Sequence, residues 1–214
     1  SEIQRLLAQM VDRGATHAIL EVTSHGLAQH RVTGCDFDVA AVTNITHEHL
    51  DYHGSLKAYQ EAKASLFAGL SDSFRKPGIP KLSVLNRDDD SFSYLRKHEA
   101  DRQITYSVAG PADVTAGTLR LERDGSRFEL QAPGASVTIQ TSLVGAYNVA
   151  NVLAAASVAI GLGVSLDAIA QGVAAVAGVP GRMEEIDEGQ VFRAIVDFAH
   201  TPNALRQALE TARE

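Results

Sequence analysis

The segment from Phe37 to Leu70 constrains the fold more than any other part of the chain. Phe37-Asp38-Val39-Ala40-Ala41-Val42 is a short apolar run of the kind that forms a buried strand. From Leu56 to about Leu70 the apolar residues return at helical spacing. Between strand and helix, Thr43-Asn44-Ile45-Thr46-His47-Glu48-His49-Leu50-Asp51-Tyr52-His53-Gly54 packs three histidines, two acids, an amide and two threonine hydroxyls into twelve residues. In open α/β sheets, ligands bind at the edge where the strands end. This polar stretch is therefore the expected active centre.

The rest of the chain extends the same rhythm. Ile3, Leu6, Leu7, Met10 and Val11 predict a helix that Gly14 ends. His17 to Val22 reads as a short, largely buried strand. The chain thus opens with a helix feeding a strand, which for a parallel sheet looks like an entry halfway through a domain. Further strands are expected at Lys81–Asn86 and Gln103–Val108, with a helix over Asp88–His98 between them. Residues 112–144 alternate and turn at Asp124-Gly125 and Pro133-Gly134, which predicts an antiparallel meander. Val149–Leu162 and Leu166–Val176 read as helices, Val191–Val196 as a strand, and Pro202–Arg213 as a helix with Thr201 as its N-cap. The fold class is α/β: a mostly parallel central sheet flanked by helices, with a small antiparallel β meander. No internal repeat or low-complexity segment is present.

Composition narrows the function. A net charge of −7 argues against a broad nucleic-acid or acidic-membrane footprint. With 45% hydrophobic and 21% charged residues the chain reads as an ordinary globular protein. One cysteine, Cys35, leaves no internal disulfide, which fits a reducing cytoplasm. No apolar run approaches the length of a membrane span.

The polar residues suggest phosphate chemistry. Glu21 and His49 each follow an expected parallel strand and could converge at one sheet edge. A carboxylate and an imidazole, with room for phosphate oxygens and water, suit a divalent ion serving a nucleotide. The bland alternative is that the histidines are loop polar groups, and for His47 that reading is preferred. His47-x-His49-x-Asp51-x-His53 also nearly spells the H-x-H-x-D-H run of metallo-β-lactamase-like hydrolases. Tyr52 stands where the last His should be, and that slip turns the side chain elsewhere. Lys63, on the helix after the cluster, could reach back over the strand ends, but composition alone does not select it over Lys57.

Six stretches, in order, are more specific. Glu21-Val-Thr-Ser-His-Gly-Leu27 with Gln29-His-Arg31-Val resembles the E-V-S-S-H-G-L-x-Q-x-R-V of Mur ligases of the MurE type. Thr43 to Gly54 resembles their T-N-L-x-x-D-H-L-D-Y-H-G, and Tyr59-Gln-Glu-Ala-Lys63 their Y-x-x-A-K. Gly145-Ala-Tyr-Asn148-Val-Ala-Asn151-Val-Leu-Ala-Ala resembles G-x-F-N-V-x-N-x-L-A-A. Gly178-Val-Pro-Gly-Arg182-Met-Glu and Val196-Asp197-Phe-Ala-His200-Thr-Pro resemble G-V-P-G-R-M-E and V-D-Y-A-H-T-P.

The resemblance implies an ATP-dependent ligase of peptidoglycan synthesis in the cytoplasm. Such an enzyme phosphorylates the glutamate side chain of UDP-N-acetylmuramoyl-L-alanyl-D-glutamate. The amine of meso-diaminopimelate or L-lysine then attacks the acyl phosphate. It implies Glu21 and His49 as Mg²⁺ ligands, with Lys63 as a carbamylated lysine meeting a second Mg²⁺. Lys63 and His49 are then the catalytic pair. It implies Thr23, Gln29 and Arg31 as contacts to the UDP-muramoyl dipeptide, and Asn148, Arg182, Asp197 and His200 as the nucleotide side.

Some features depart from the family. Its phosphate loop, G-T-x-G-K-T-T, does not occur in these 214 residues. Residues 1–181 are therefore expected to be the central, ATPase-type domain, truncated on its N-terminal side. Residues 182–214 would be the linker and first strand and helix of the C-terminal domain. Such a piece is expected to be inactive alone, and its exposed sheet invites self-association. Thr23 for Ser, Glu48 for Asp, Phe198 for Tyr and Asn203 for Asp are smaller departures. A folylpolyglutamate- or cyanophycin-synthetase-like ligase and a non-catalytic binding module are the competing readings.

Overall fold

The computed structural model describes residues 2–45 and 54–213. Six strands form one sheet in the order β1-β2-β3-β4-β5-β6. They are β1 (Val39–Ala41), β2 (Leu82–Asn86), β3 (Arg102–Ser107), β4 (Val114–Glu122), β5 (Gly125–Ala132) and β6 (Ala135–Thr141). β3 and β4 are parallel, while β4, β5 and β6 are antiparallel neighbours. Around β1 and β2, Leu82 N donates to Asp38 O and Val42 N to Val84 O; between β2 and β3, Arg102 N donates to Lys81 O and Arg87 N to Tyr106 O. In each pair the partners advance together along the chain, as in parallel strands. The expected meander therefore exists, and it is the far edge of the main sheet. β2 is buried at every position, as a strand covered on both faces must be.

Two compact units divide the chain. The first comprises Ser1–Ala40, Asn44–Ser83 and Asp90–Gln103. It begins with α1 (Glu2–Asp12), after which Gly14 takes φ 79°, a left-handed value that glycine tolerates without strain. The short α2 (Ser24–Ala28) packs on α3 (Leu56–Asp72). The Ser55 hydroxyl caps α3 by accepting from Ala58 N, and Tyr59, Ala64, Phe67 and Leu70 form its buried stripe.

The second unit comprises Ala41–Thr43, Val84–Asp89 and Ile104–Glu214. Here α5 (Ala146–Gly161) lies against β4 and α6 (Leu166–Ala174), and α6 lies against β6. A separate hairpin, β7 (Glu184–Ile186) with β8 (Ala194–Val196), precedes α7 (Pro202–Thr211). The Thr201 hydroxyl accepts from Ala204 N, so the expected N-cap is formed.

Two expectations need correction, and one strand was not expected. Residues 17–22 form no strand, and Ile19 is 97% exposed. An apolar run becomes a strand only beside a partner that completes its ladder, and the sheet order begins at β1. The helix expected over 88–98 is reduced to α4 (Phe92–Leu95). Asp88 is instead drawn into side-chain bonds, with Ser107 Oγ and Val108 N donating to its carboxylate. Finally, β7 has no counterpart in the sequence reading, because Glu184-Glu185-Ile186 is too short and too polar to announce a strand.

Candidate functional site

In the first unit, α2 organises one group of residues. Thr23, in extended conformation, caps it: its Oγ1 accepts from Gly26 N at 3.0 Å. A Cβ on Gly26 would stand 3.2 Å from Thr23 Oγ1 and 3.9 Å from Arg31 Cδ, so the glycine lets both side chains close over the turn. The Nε and Nη2 of Arg31 both donate to Gln29 Oε1, at 3.0 and 2.6 Å. Thr23, Gln29 and Arg31 thus share one exposed patch offering a hydroxyl, an amide and a guanidinium to an anionic ligand.

Lys63 lies on α3, against which α2 packs. Its Nζ sits 5.4 Å from the ring centroid of buried Tyr59, one turn earlier. Glu21 is exposed in the segment entering α2. His49 lies outside the described residues, as do His47, Asp51 and His53 of the hydrolase-like run. Among the described residues, no group of three His, Cys, Asp or Glu side chains is assembled for a metal.

The root of the Thr43–Gly54 segment is fixed within the second unit. Asn86 Nδ2 donates to Thr43 O at 2.7 Å, and the buried Tyr106 hydroxyl donates to Val42 O at 2.8 Å. Burial raises the Tyr106 phenol well above its ordinary value, with the Asp89 and Asp88 charges adding to it. Neither residue was singled out from sequence, since their value lies in pairing with a distant carbonyl.

The residues expected on the nucleotide side come together more fully. The register of β7 on β8 pairs Glu184 with Val196 and brings Met183 N to Asp197 Oδ2 at 2.8 Å. The other oxygen, Asp197 Oδ1, accepts from Ala199 N at 2.7 Å. Phe198 N donates to Gly181 O at 2.9 Å, and the Arg182 guanidinium lies over the Phe198 ring, 4.9 Å from its centroid. His200 meets the same ring edge-on at 4.9 Å. An open cleft of about 300 Å³ is lined by Pro180, Gly181, Arg182, Val196, Asp197 and Phe198.

Asn148 is buried at the start of α5, where its Nδ2 donates to Val144 O at 2.9 Å and its Oδ1 accepts from Asn151. Its neighbour Tyr147 has a raised phenol pKa, first through burial and then through the Asp197 carboxylate, opposed by Arg182. That coupling ties Tyr147 electrostatically to the cleft. Tyr147 and Phe198 were not assigned roles from sequence, although both stand inside quoted stretches at the aromatic position of the family pattern. The cleft offers a guanidinium for phosphate, a carboxylate for hydroxyls and an aromatic face.

Residues 1–159 match the Mur ligase middle domain. The chain belongs to the Mur ligase family. It is 46% identical over 99% of its length to a UDP-N-acetylmuramoyl-L-alanyl-D-glutamate–2,6-diaminopimelate ligase of Geobacillus kaustophilus. It is 39% identical over 97% of its length to UDP-N-acetylmuramyl-tripeptide synthetase 2 of Oceanobacillus iheyensis. A solved diaminopimelate ligase superposes on 99% of it with TM-score 0.82 at 36% identity. This Mur ligase chain spans 43% of the Geobacillus protein, 42% of the Oceanobacillus protein and 43% of the solved chain. The resemblance carried by the six stretches is thereby borne out, as is the mostly parallel α/β fold. No helix among the described residues is long and apolar enough to cross a membrane.

Proposed function

We propose that this Mur ligase chain serves a cytoplasmic, ATP-dependent, amide-forming ligase of peptidoglycan synthesis. The ligase adds meso-diaminopimelate or L-lysine to UDP-N-acetylmuramoyl-L-alanyl-D-glutamate through an acyl phosphate. The single observation that carries this is the 46% identity, over 99% of the chain, to a diaminopimelate ligase. On this reading Arg182 neutralises nucleotide phosphate. Asp197, its two oxygens already oriented by backbone N–H groups, accepts from ribose hydroxyls. Asn148 and His200 complete the nucleotide side. The exposed patch of Thr23, Gln29 and Arg31 holds the UDP-muramoyl dipeptide.

The donor set suits Mg²⁺, since the exposed Glu21 carboxylate is a hard oxygen ligand. Glu21 and His49 would hold one ion, and Lys63, carbamylated by CO₂, would hold a second. Bound there, Mg²⁺ supplies positive charge to an anionic phosphoryl transfer. Residues 1–181 form the central domain on this reading, and 182–214 open the next one. The chain alone self-associates, and a monomer by light scattering would refute that part.

Grafting tests the function directly. In place of the matching 212 residues of the Geobacillus ligase, this chain should support ligation that requires both ATP and Mg²⁺. The 214 residues alone should not turn over. A folded graft that binds ADP yet ligates neither amino acid overturns the assignment.

A further inference from the structure

We propose that Phe198 is a positioning residue for nucleotide binding, holding Arg182 and His200 through one aromatic ring. The inference rests on the reading of the cleft given above and extends it to a residue to which that reading gives no role.

The ring occupies an unusual place. It is 63% exposed, so burying it in a core is not what it contributes. One contact is the Arg182 guanidinium, 4.9 Å from its centroid. The other is the His200 imidazole, 4.9 Å away at an interplanar angle of 69°. Backbone bonds lock the ring's base: Phe198 N donates to Gly181 O, next to Arg182, and Phe198 O lies 2.9 Å from His200 Nδ1. The next residue back, Asp197, ties itself to Met183 N. The guanidinium and the imidazole therefore converge on the ring from separate stretches of chain.

The physical consequence follows from side-chain entropy. An exposed arginine has many rotamers, and fixing it on a phosphate costs free energy. Resting the guanidinium on an aromatic face removes part of that cost before the ligand arrives, while its N–H edge stays available. The ring also limits where the His200 imidazole can turn. Phe is sufficient for both contacts, because each uses the ring and neither uses a hydroxyl.

The test uses the grafted ligase with ATP as the probe. Phe198→Leu keeps an apolar side chain but removes the ring. It should raise KM for ATP about three- to fivefold, the size expected of an exposed cation–π contact. KM for the amino acid and the thermal midpoint should hold. Phe198→Tyr, which restores a ring, should recover the ATP KM lost in Phe198→Leu. In an Arg182→Met background, Phe198→Leu should cost much less, because the partner is gone.

A readout independent of ligation separates this inference from the functional reading. In the 214-residue chain, the Arg182 side-chain NMR signals should carry a ring-current shift that Phe198→Leu abolishes. Additive effects of Phe198→Leu and Arg182→Met, or an unchanged ATP KM, would overturn the proposal. So would absence of the ring-current shift, even if the graft ligates normally. If the graft fails to ligate, its ADP affinity is read instead: a loss with Phe198→Leu that vanishes in the Arg182→Met background, with the ring-current shift kept, removes the functional reading and leaves the positioning role standing.

Discussion

Lys81 is fully buried, and a buried ammonium must place all its donors. Its Nζ donates to Phe37 O at 2.7 Å, to Phe74 O at 2.8 Å and to Asp38 Oδ1 at 3.2 Å. The two carbonyl bonds are the shorter ones. They join the chain entering β1 to the chain leaving α3, just where β2 begins. Asp38 has a second cation in Lys76, so it does not depend on Lys81 alone. Lys81→Met should therefore destabilise the protein by about 3 kcal/mol, because it strands two carbonyls and half an ion pair. Asp38→Asn should cost distinctly less, since the carbonyl bonds survive. Urea denaturation of both variants checks the order. A larger loss for Asp38→Asn would make the ion pair, and not the carbonyls, the main partner. Nothing in the sequence marked Lys81 apart from other lysines, since only the fold brings two distant carbonyls to its amine.

Among the elements, the strands that matched expectation are those whose neighbours supply a ladder. β2 and β3 were legible as strands at Lys81–Asn86 and Gln103–Val108, and the β4–β6 meander as alternation around Asp124-Gly125 and Pro133-Gly134. Residues 17–22 have the same local pattern and no strand, because pairing is a property of two segments and the pattern describes one. The meander turn also shows how tightly such pairing is built. A Cβ on Gly125 would collide with the backbone carbonyl of Thr141, the cross-strand neighbour of Ser126. Backbone cannot swing aside as a side-chain tip can. Gly125→Ala should therefore cost about 2 kcal/mol or more and loosen β5 against β6. Hydrogen exchange would show it as faster amides in β5 and β6, with those of α3 unchanged. By contrast, Gly78→Ala, where an added Cβ would meet no atom of the described residues beyond its chain neighbours within 4 Å, should cost less, through its φ of 76° alone.

For the molecule as a whole, the site was legible as words before it was legible as geometry. Arg182, Asp197 and His200 stand in two separate stretches, and no periodicity says that they meet. The β7–β8 register does that, and β7 was invisible to pattern reading. Stability against acid is likewise a property of distant pairs. Burial alone would raise the Asp38 carboxyl, but hydrogen bonds from Lys76 and Lys81 hold it below its ordinary 3.8. Bonds from Arg75, then from Lys81 N, hold Asp101 below 3.8 as well. Both are carboxyls whose folded pKa lies under the unfolded one. Their contribution is thus complete above the unfolded value and disappears as pH falls through 3.8 toward the folded values. The urea midpoint should be flat from about pH 7 to 5 in this respect and decline below about pH 4. An Asp38→Asn, Asp101→Asn double variant should start lower at neutral pH and decline less steeply, because neither position can then take up a proton. Equal slopes for parent and variant between about pH 5 and 3 would mean that other carboxylates carry the acid transition.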